Sequence, residues 1–188
     1  MQNTGFWESL MSFSLRAAAA AITALAFTAL FAAEALAQSS RTIYTHRAWT
    51  VQVVALDNGS INCMAQVRSG GRSFSIWAEP EGRMRLQWFN PSWEFGTDTA
   101  DVVAQIDGRP TWNLRAADLY KNSVLFYLPT SDSGVRFVTE VARGNNIYLY
   151  NNRGQLQASF TLSGSMASIR ELINCVDGLN SGGRNPFR

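Results

Sequence analysis

The stretch from Trp49 to Trp88, WTVQVVALDNGSINCMAQVRSGGRSFSIWAEPEGRMRLQW, decides the fold class. It alternates between apolar and polar residues with period two. Trp49, Val51, Val53 and Ala55 fall on one face, with Thr50 and Gln52 on the other. After Asp57-Asn58-Gly59 the pattern resumes with Ile61, Cys63, Ala65 and Val67, and after Ser69-Gly70-Gly71 with Phe74, Ile76 and Ala78. After Glu79-Pro80-Glu81-Gly82 it ends with Met84, Leu86 and Trp88. Successive side chains of a strand point to opposite faces, so this alternation marks half-buried strands. The short Gly- and Asn-containing separators are hairpin turns. The stretch reads as a four-strand antiparallel meander.

The pattern continues outward. Asn90 to Thr99 interrupts it as a longer loop carrying Trp93 and Phe95. Strands follow at Val102–Ile106, Thr111–Arg115 and Val124–Leu128. Ser131-Asp132-Ser133 opens a short helix with Val135, Val138 and Val141/Ala142 as its apolar positions and Gly144 as its stop. Its β-branched residues leave a strand as the alternative. Strands at Ile147–Leu149 and Leu156–Leu162 lead to a last helix, with Met166, Ile169, Leu172/Ile173 and Val176 on one face and Gly178 at its end. The expected fold is mainly β: an antiparallel β-sandwich or partly open barrel with one or two short helices, the C-terminal helix packed on the sheet.

The first residues predict export. Arg16 precedes an alanine-rich apolar run, Ala17 to Ala33, and then Ala35-Leu36-Ala37. A positive flank, an apolar region and a small-x-small site make a signal peptide over 1–37, with Met11 as an alternative start. An uncleaved anchor is the other reading of the run. Residues 38–47 are expected to be a flexible leader, 48–179 a single β-rich domain and 180–188 a disordered tail. The predicted location is periplasmic or secreted, with no integral membrane segment after cleavage.

The 188 residues carry 16 Lys+Arg against 14 Asp+Glu, for a formal net charge of +2. The basic residues are dispersed, which argues against a nucleic-acid partner. The chain has two cysteines, Cys63 and Cys175. In an exported chain this pair predicts a disulfide; two separate buried thiols are the alternative. Two cysteines and the single His46 are too few for a standard structural zinc site, and no metal or cofactor is expected.

Candidate chemistry centres on Ser163-Gly164-Ser165, where a strand passes into a helix. A nucleophile elbow needs G-x-S-x-G, which Ser163-Gly164-Ser165-Met166-Ala167 lacks. A Ser-x-x-Lys pair is absent, and the sole histidine lies far away in the chain. Gly164 and Ser165 are therefore expected to cap the helix, with the Ser165 hydroxyl accepting from an amide of the first turn. An anion site there has only Arg170 nearby in sequence. Acids such as Glu79, Glu94 and Asp98 lie in or beside turns and define no catalytic pair. No catalytic residue is assigned.

Aromatic and arginine residues on polar faces point to contact with another molecule. Trp77 shares the polar parity of Ser73 and Ser75, and Arg83 and Arg85 share that of Gln87. Trp77, Arg83, Arg85, Trp93 and Phe95 form the expected interaction surface. A sandwich that buries both faces of its strands, or a helix over Trp77, is the alternative.

An early Trp-x-Val strand (Trp49-Thr50-Val51), a cysteine on the next strand and the ending FTLSGSMASIRELINC resemble small exported proteins of the invasion-associated locus B type. The chain differs from them in its small number of cysteines and its single lysine, Lys121. The resemblance implies a periplasmic or envelope-associated β protein and supplies no catalytic residue. The functional expectation is a non-enzymatic exported protein that binds a protein or another envelope macromolecule. The alternatives are an inhibitor or accessory of an envelope enzyme, akin to a lysozyme inhibitor, and a hydrolase.

Overall fold

The computed structural model describes residues 39–182. The signal peptide and most of the tail expected from the sequence lie outside these residues. The described chain forms ten strands and two helices: β1 (Ser39–His46), β2 (Trp49–Ala55), β3 (Ile61–Ser69), β4 (Arg72–Ala78), β5 (Met84–Phe89), β6 (Phe95–Ile106), β7 (Trp112–Lys121), β8 (Ser123–Tyr127), α1 (Asp132–Arg143), β9 (Asn146–Asn151), β10 (Leu156–Thr161) and α2 (Ser165–Asn180). All strand pairs are antiparallel, in one unclosed sheet of order β1-β2-β3-β4-β5-β8-β7-β6-β9-β10.

The meander forms as its alternation dictates. Gly70 and Gly71 both have positive φ, 56° and 77°, between the paired Ser69 and Arg72. Both central residues of a type I′ hairpin turn need that region, which glycine enters without steric cost. The inner faces of β2 to β5 place Trp49, Val51, Cys63, Ala65, Val67, Phe74, Ile76, Leu86 and Trp88 in one buried core. The sheet curls until its far end meets this face. Phe160 of β10 stacks on Phe74 of β4 at 6.5 Å, and the Trp49 indole donates to the Thr161 carbonyl at 3.3 Å. The result is sandwich-like without closing the barrel.

The expected leader is corrected: Ser39–His46 is an edge strand paired with β2 from Ser39↔Ala55 to His46↔Trp49. An edge strand needs only backbone partners on one side, and polar side chains suit it, so no apolar alternation announces it. The loop after β5 is shorter than expected. β6 begins at Phe95, and β7 runs on to Lys121 rather than ending at Arg115. Together they form a long hairpin with irregular register at Phe95/Thr97 and Ala100/Val102. Extra residues at such bulges break strict alternation, which hid these strand ends.

Both helices exist, and their expected faces are met in part: Val141, Ile169 and Leu172 are buried, and Val138, Ala142 and Val176 pack on the core. In α1 the buried residues are Gly134, Phe137 and Val141, whereas Val135 is 67% exposed. Phe137 meets Trp112 edge-on at 5.2 Å. In α2 the inward side comprises Ser165, Ser168, Ile169 and Leu172, while Met166 and Ile173 are exposed. Small serines at the start of α2 let the helix lie close against its neighbours, and Cys175, Val176 and Leu179 continue the packed side beyond Leu172. The helix packs on β1, β2 and β3 and runs past Gly178 to Asn180. Cys63 and Cys175 are disulfide-bonded, with Cα atoms 6.2 Å apart, which staples α2 to β3.

Candidate functional site

The register that sends Cys63, Ala65 and Val67 inward sends Met64, Gln66 and Arg68 to the outer face. Three cross-strand rows result. One runs Met64↔Trp77↔Arg85↔Tyr127, the next Gln66↔Ser75↔Gln87↔Leu125, and the third Arg68↔Ser73↔Phe89↔Ser123. Directly opposed side chains lie about 5 Å apart and interact.

These side chains lock one another. Arg68 Nε donates to Gln66 Oε1, and Gln66 Nε2 donates to Ser75 Oγ at 2.8 Å. The Trp77 indole donates to Gln87 Oε1 at 2.7 Å, and Gln87 Nε2 donates to Ser123 Oγ at 2.8 Å. Each glutamine thus accepts at one end and donates at the other, which fixes the orientation of both amides. The Arg85 guanidinium lies 5.3 Å from the Trp77 ring centroid and 5.8 Å from that of Tyr127. Arg83 lies 5.4 Å from the Tyr127 ring centroid and pairs with Glu79 at 2.6 Å. Tyr127 OH donates to the other Glu79 oxygen at 3.3 Å.

Gln52, Met64, Gln66, Trp77, Gln87 and Phe89 line a groove of about 760 Å³ on this face, with Arg68 and Arg72 at one end. Arg68 and Tyr127, exposed, with the half-buried Arg72, Arg85, Gln87 and Phe89, can present hydrogen bonds and stacking to a partner surface, over the buried Gln66, Ser75 and Trp77. Among the described residues, no group of three or more His, Cys, Asp or Glu gathers to hold a metal.

The structure splits the expected interaction surface. Trp77, Arg83 and Arg85 come together, but Trp77 is only 6% exposed, in a small outer cluster with Val54 and Met64. It therefore supports the face rather than projecting from it. α2 does not cover it; that helix carries the partner of the inward-facing Cys63. Trp93 and Phe95 lie beyond the other end of β5. They pack on each other at 5.5 Å and against the inner core, so they do not belong to this surface. Asn122 Nδ2 holds the Trp93 carbonyl at 2.6 Å. Gln66, Gln87 and Tyr127 lie on this face outside the expected set. Their polar parity was visible, but cross-strand register alone makes them neighbours.

The helix-cap expectation is corrected too. Gly164, not Ser165, occupies the N-cap, and no side chain caps α2. Ser165 is 1% exposed, and its hydroxyl donates to the Val141 carbonyl at 2.8 Å. It is a second donor to a carbonyl in the last turn of α1, which also accepts from the Gly144 amide at 3.4 Å. A hydroxyl so buried and so engaged is not presented to a substrate. The chain matches no family model, no curated protein and no solved structure.

Proposed function

We propose that the protein is exported and acts without catalysis, by binding a protein partner that presents acidic side chains to the outer face of β2–β5 and β8. The observation that carries this reading is the pair of adjacent hydrogen-bonded chains, Arg68–Gln66–Ser75 and Trp77–Gln87–Ser123, which fix the outer face. Side chains already held in one geometry lose less freedom on binding. Arginine and aromatic residues are also the groups that carry most interface energy. Among the described residues, Arg68, Arg72 and Arg85 have no carboxylate at salt-bridge distance, and Glu79 is taken by Arg83. That surplus favours acidic groups on the partner. Export is supported by the signal-like N-terminus, by the disulfide and by the resemblance to proteins of the invasion-associated locus B type.

A photo-crosslinking residue placed at Phe89, within the groove, tests the reading in envelope fractions. The expected result is a discrete protein adduct that disappears when Arg85→Glu is added. The same probe at the exposed Leu156 of β10 should give none. Identical adducts from both positions, or adducts insensitive to Arg85→Glu, would refute it. The mass of the chain recovered from the periplasm, expected to begin at Gln38, tests export separately.

A further inference from the structure

A second cavity, of about 580 Å³, lies where the β1–β2 turn, the end of α1 and the start of α2 converge. Backbone geometry forces the convergence. Gly164 has φ 105°, and a Cβ there would come within 2.4 Å of the His46 carbonyl oxygen. The hairpin tip therefore sits directly on the helix start, and Ala48 N donates to the Ser163 carbonyl at 3.4 Å. Ser165 ties the end of α1 to the same place.

This packing gathers Arg47, Arg143 and Arg170, from three separate elements, around one cavity, with His46 beside them. Arg47 Nη1 reaches only the neutral Ser163 Oγ, at 3.5 Å. No Asp or Glu lines the cavity, and among the described residues none forms an ion pair with these three arginines. The carboxylate of Asp107 accepts from the backbone amides of Asn145 and Asn146, at 3.0 and 2.9 Å, and lies 3.9 Å from Arg109. The first turn of α2 carries no acidic residue. Three like charges brought together without a counter-charge repel one another unless an anion joins them.

We propose that this cavity binds a phosphate-bearing small molecule, with the phosphoryl group held among Arg47, Arg143 and Arg170. A phosphomonoester carries close to two negative charges and three acceptor oxygens, which matches several guanidiniums better than one carboxylate does. The volume falls within the usual range of small-ligand pockets and leaves room for an organic part, which Asn145, Thr161 and Ser163 can reach as polar partners. The site is separate from the outer face and stands or falls independently of the protein-binding reading.

Titration calorimetry at low ionic strength tests it with inorganic phosphate, glycerol 3-phosphate and vesicles of phosphatidic acid, with phosphatidylcholine vesicles as control. Saturable binding of glycerol 3-phosphate is expected. Arg47→Gln and Arg170→Gln should each weaken it by about tenfold or more, as loss of a charge-assisted hydrogen bond implies. Arg83→Gln should leave it unchanged. All three arginines of the site are exposed, so the variants should keep the wild-type circular dichroism and melt. Binding to phosphatidic acid vesicles, lost in the same variants, would identify a lipid headgroup as the source; binding of glycerol 3-phosphate alone would identify a soluble phosphomonoester. Equal binding by wild type and the Arg47→Gln/Arg170→Gln double variant, or no saturable binding of any probe, would overturn the proposal.

Discussion

Replacing both cysteines, Cys63→Ala with Cys175→Ala, should cost the protein much of its stability. The bond joins residues 112 positions apart, so it closes most of the domain into one loop. In the chain-entropy treatment a loop of that length restricts the unfolded ensemble by about 5 kcal/mol. Whole domains are stable by only about 5–15 kcal/mol, so the variant should approach the threshold of folding at 37 °C. Equilibrium urea unfolding of oxidised, reduced and double-alanine protein measures the effect. The oxidised form should show the higher midpoint. The other two should agree with each other, with a larger denaturant slope because their unfolded chains expose more surface. The packing of Ile169 and Leu172 on the sheet should keep α2 in place at low denaturant. A difference below about 1 kcal/mol between oxidised and double-alanine protein would refute the reasoning, since the unfolded chain would then be too compact for the crosslink to restrict.

Gly164→Ala should destabilise by about 2–4 kcal/mol, because it combines a positive φ with a clash against the hairpin backbone; an unchanged thermal midpoint would mean that the β1–β2 turn does not rest on α2. Ser165→Ala should cost about 0.5–1.5 kcal/mol by removing the buried hydrogen bond to the Val141 carbonyl, which keeps the Gly144 amide as its other donor, measured in the same unfolding assay. Phe137→Ala should cost about 3–5 kcal/mol, whereas Val135→Ala should stay within about 0.5 kcal/mol. Equal losses would put the wrong face of α1 against the core. Gln87→Leu should remove two hydrogen bonds of the outer face and cost about 1–3 kcal/mol, read from denaturant midpoints. A neutral result would show that the lattice is not cooperative.

Much of the fold was legible because burial on one face of a strand writes period two into the chain. Trp49 to Trp88 carries that period through four strands with turn residues between them, and β2 to β5 follow it. β1 was not legible, because an edge strand that buries little needs no alternation. The helix faces were legible in part, through Val141, Ile169 and Leu172. Val135, Met166 and Ile173 are apolar yet exposed, while Gly134, Ser165 and Ser168 are buried at close approaches. Hydrophobicity marks the buried side only where neighbours leave room for large side chains.

The sequence alone determined the mainly β architecture, the helical ending and the candidate disulfide, because periodicity, turn chemistry and cysteine count act locally or by number. Only the tertiary structure decided which polar residues meet. Arg68, Gln66 and Ser75 form one hydrogen-bonded chain and Trp77, Gln87 and Ser123 a second beside it through the β3-β4-β5-β8 order, which no local pattern encodes. Arg47, Arg143 and Arg170 share a cavity because Gly164 and Ser165 seat a hairpin and a helix end against the start of α2. Ser163-Gly164-Ser165, where a strand passes into a helix, is in the folded protein a packing joint. Contacts between distant segments form only once the core has fixed their register, and that register is a property of the whole sheet.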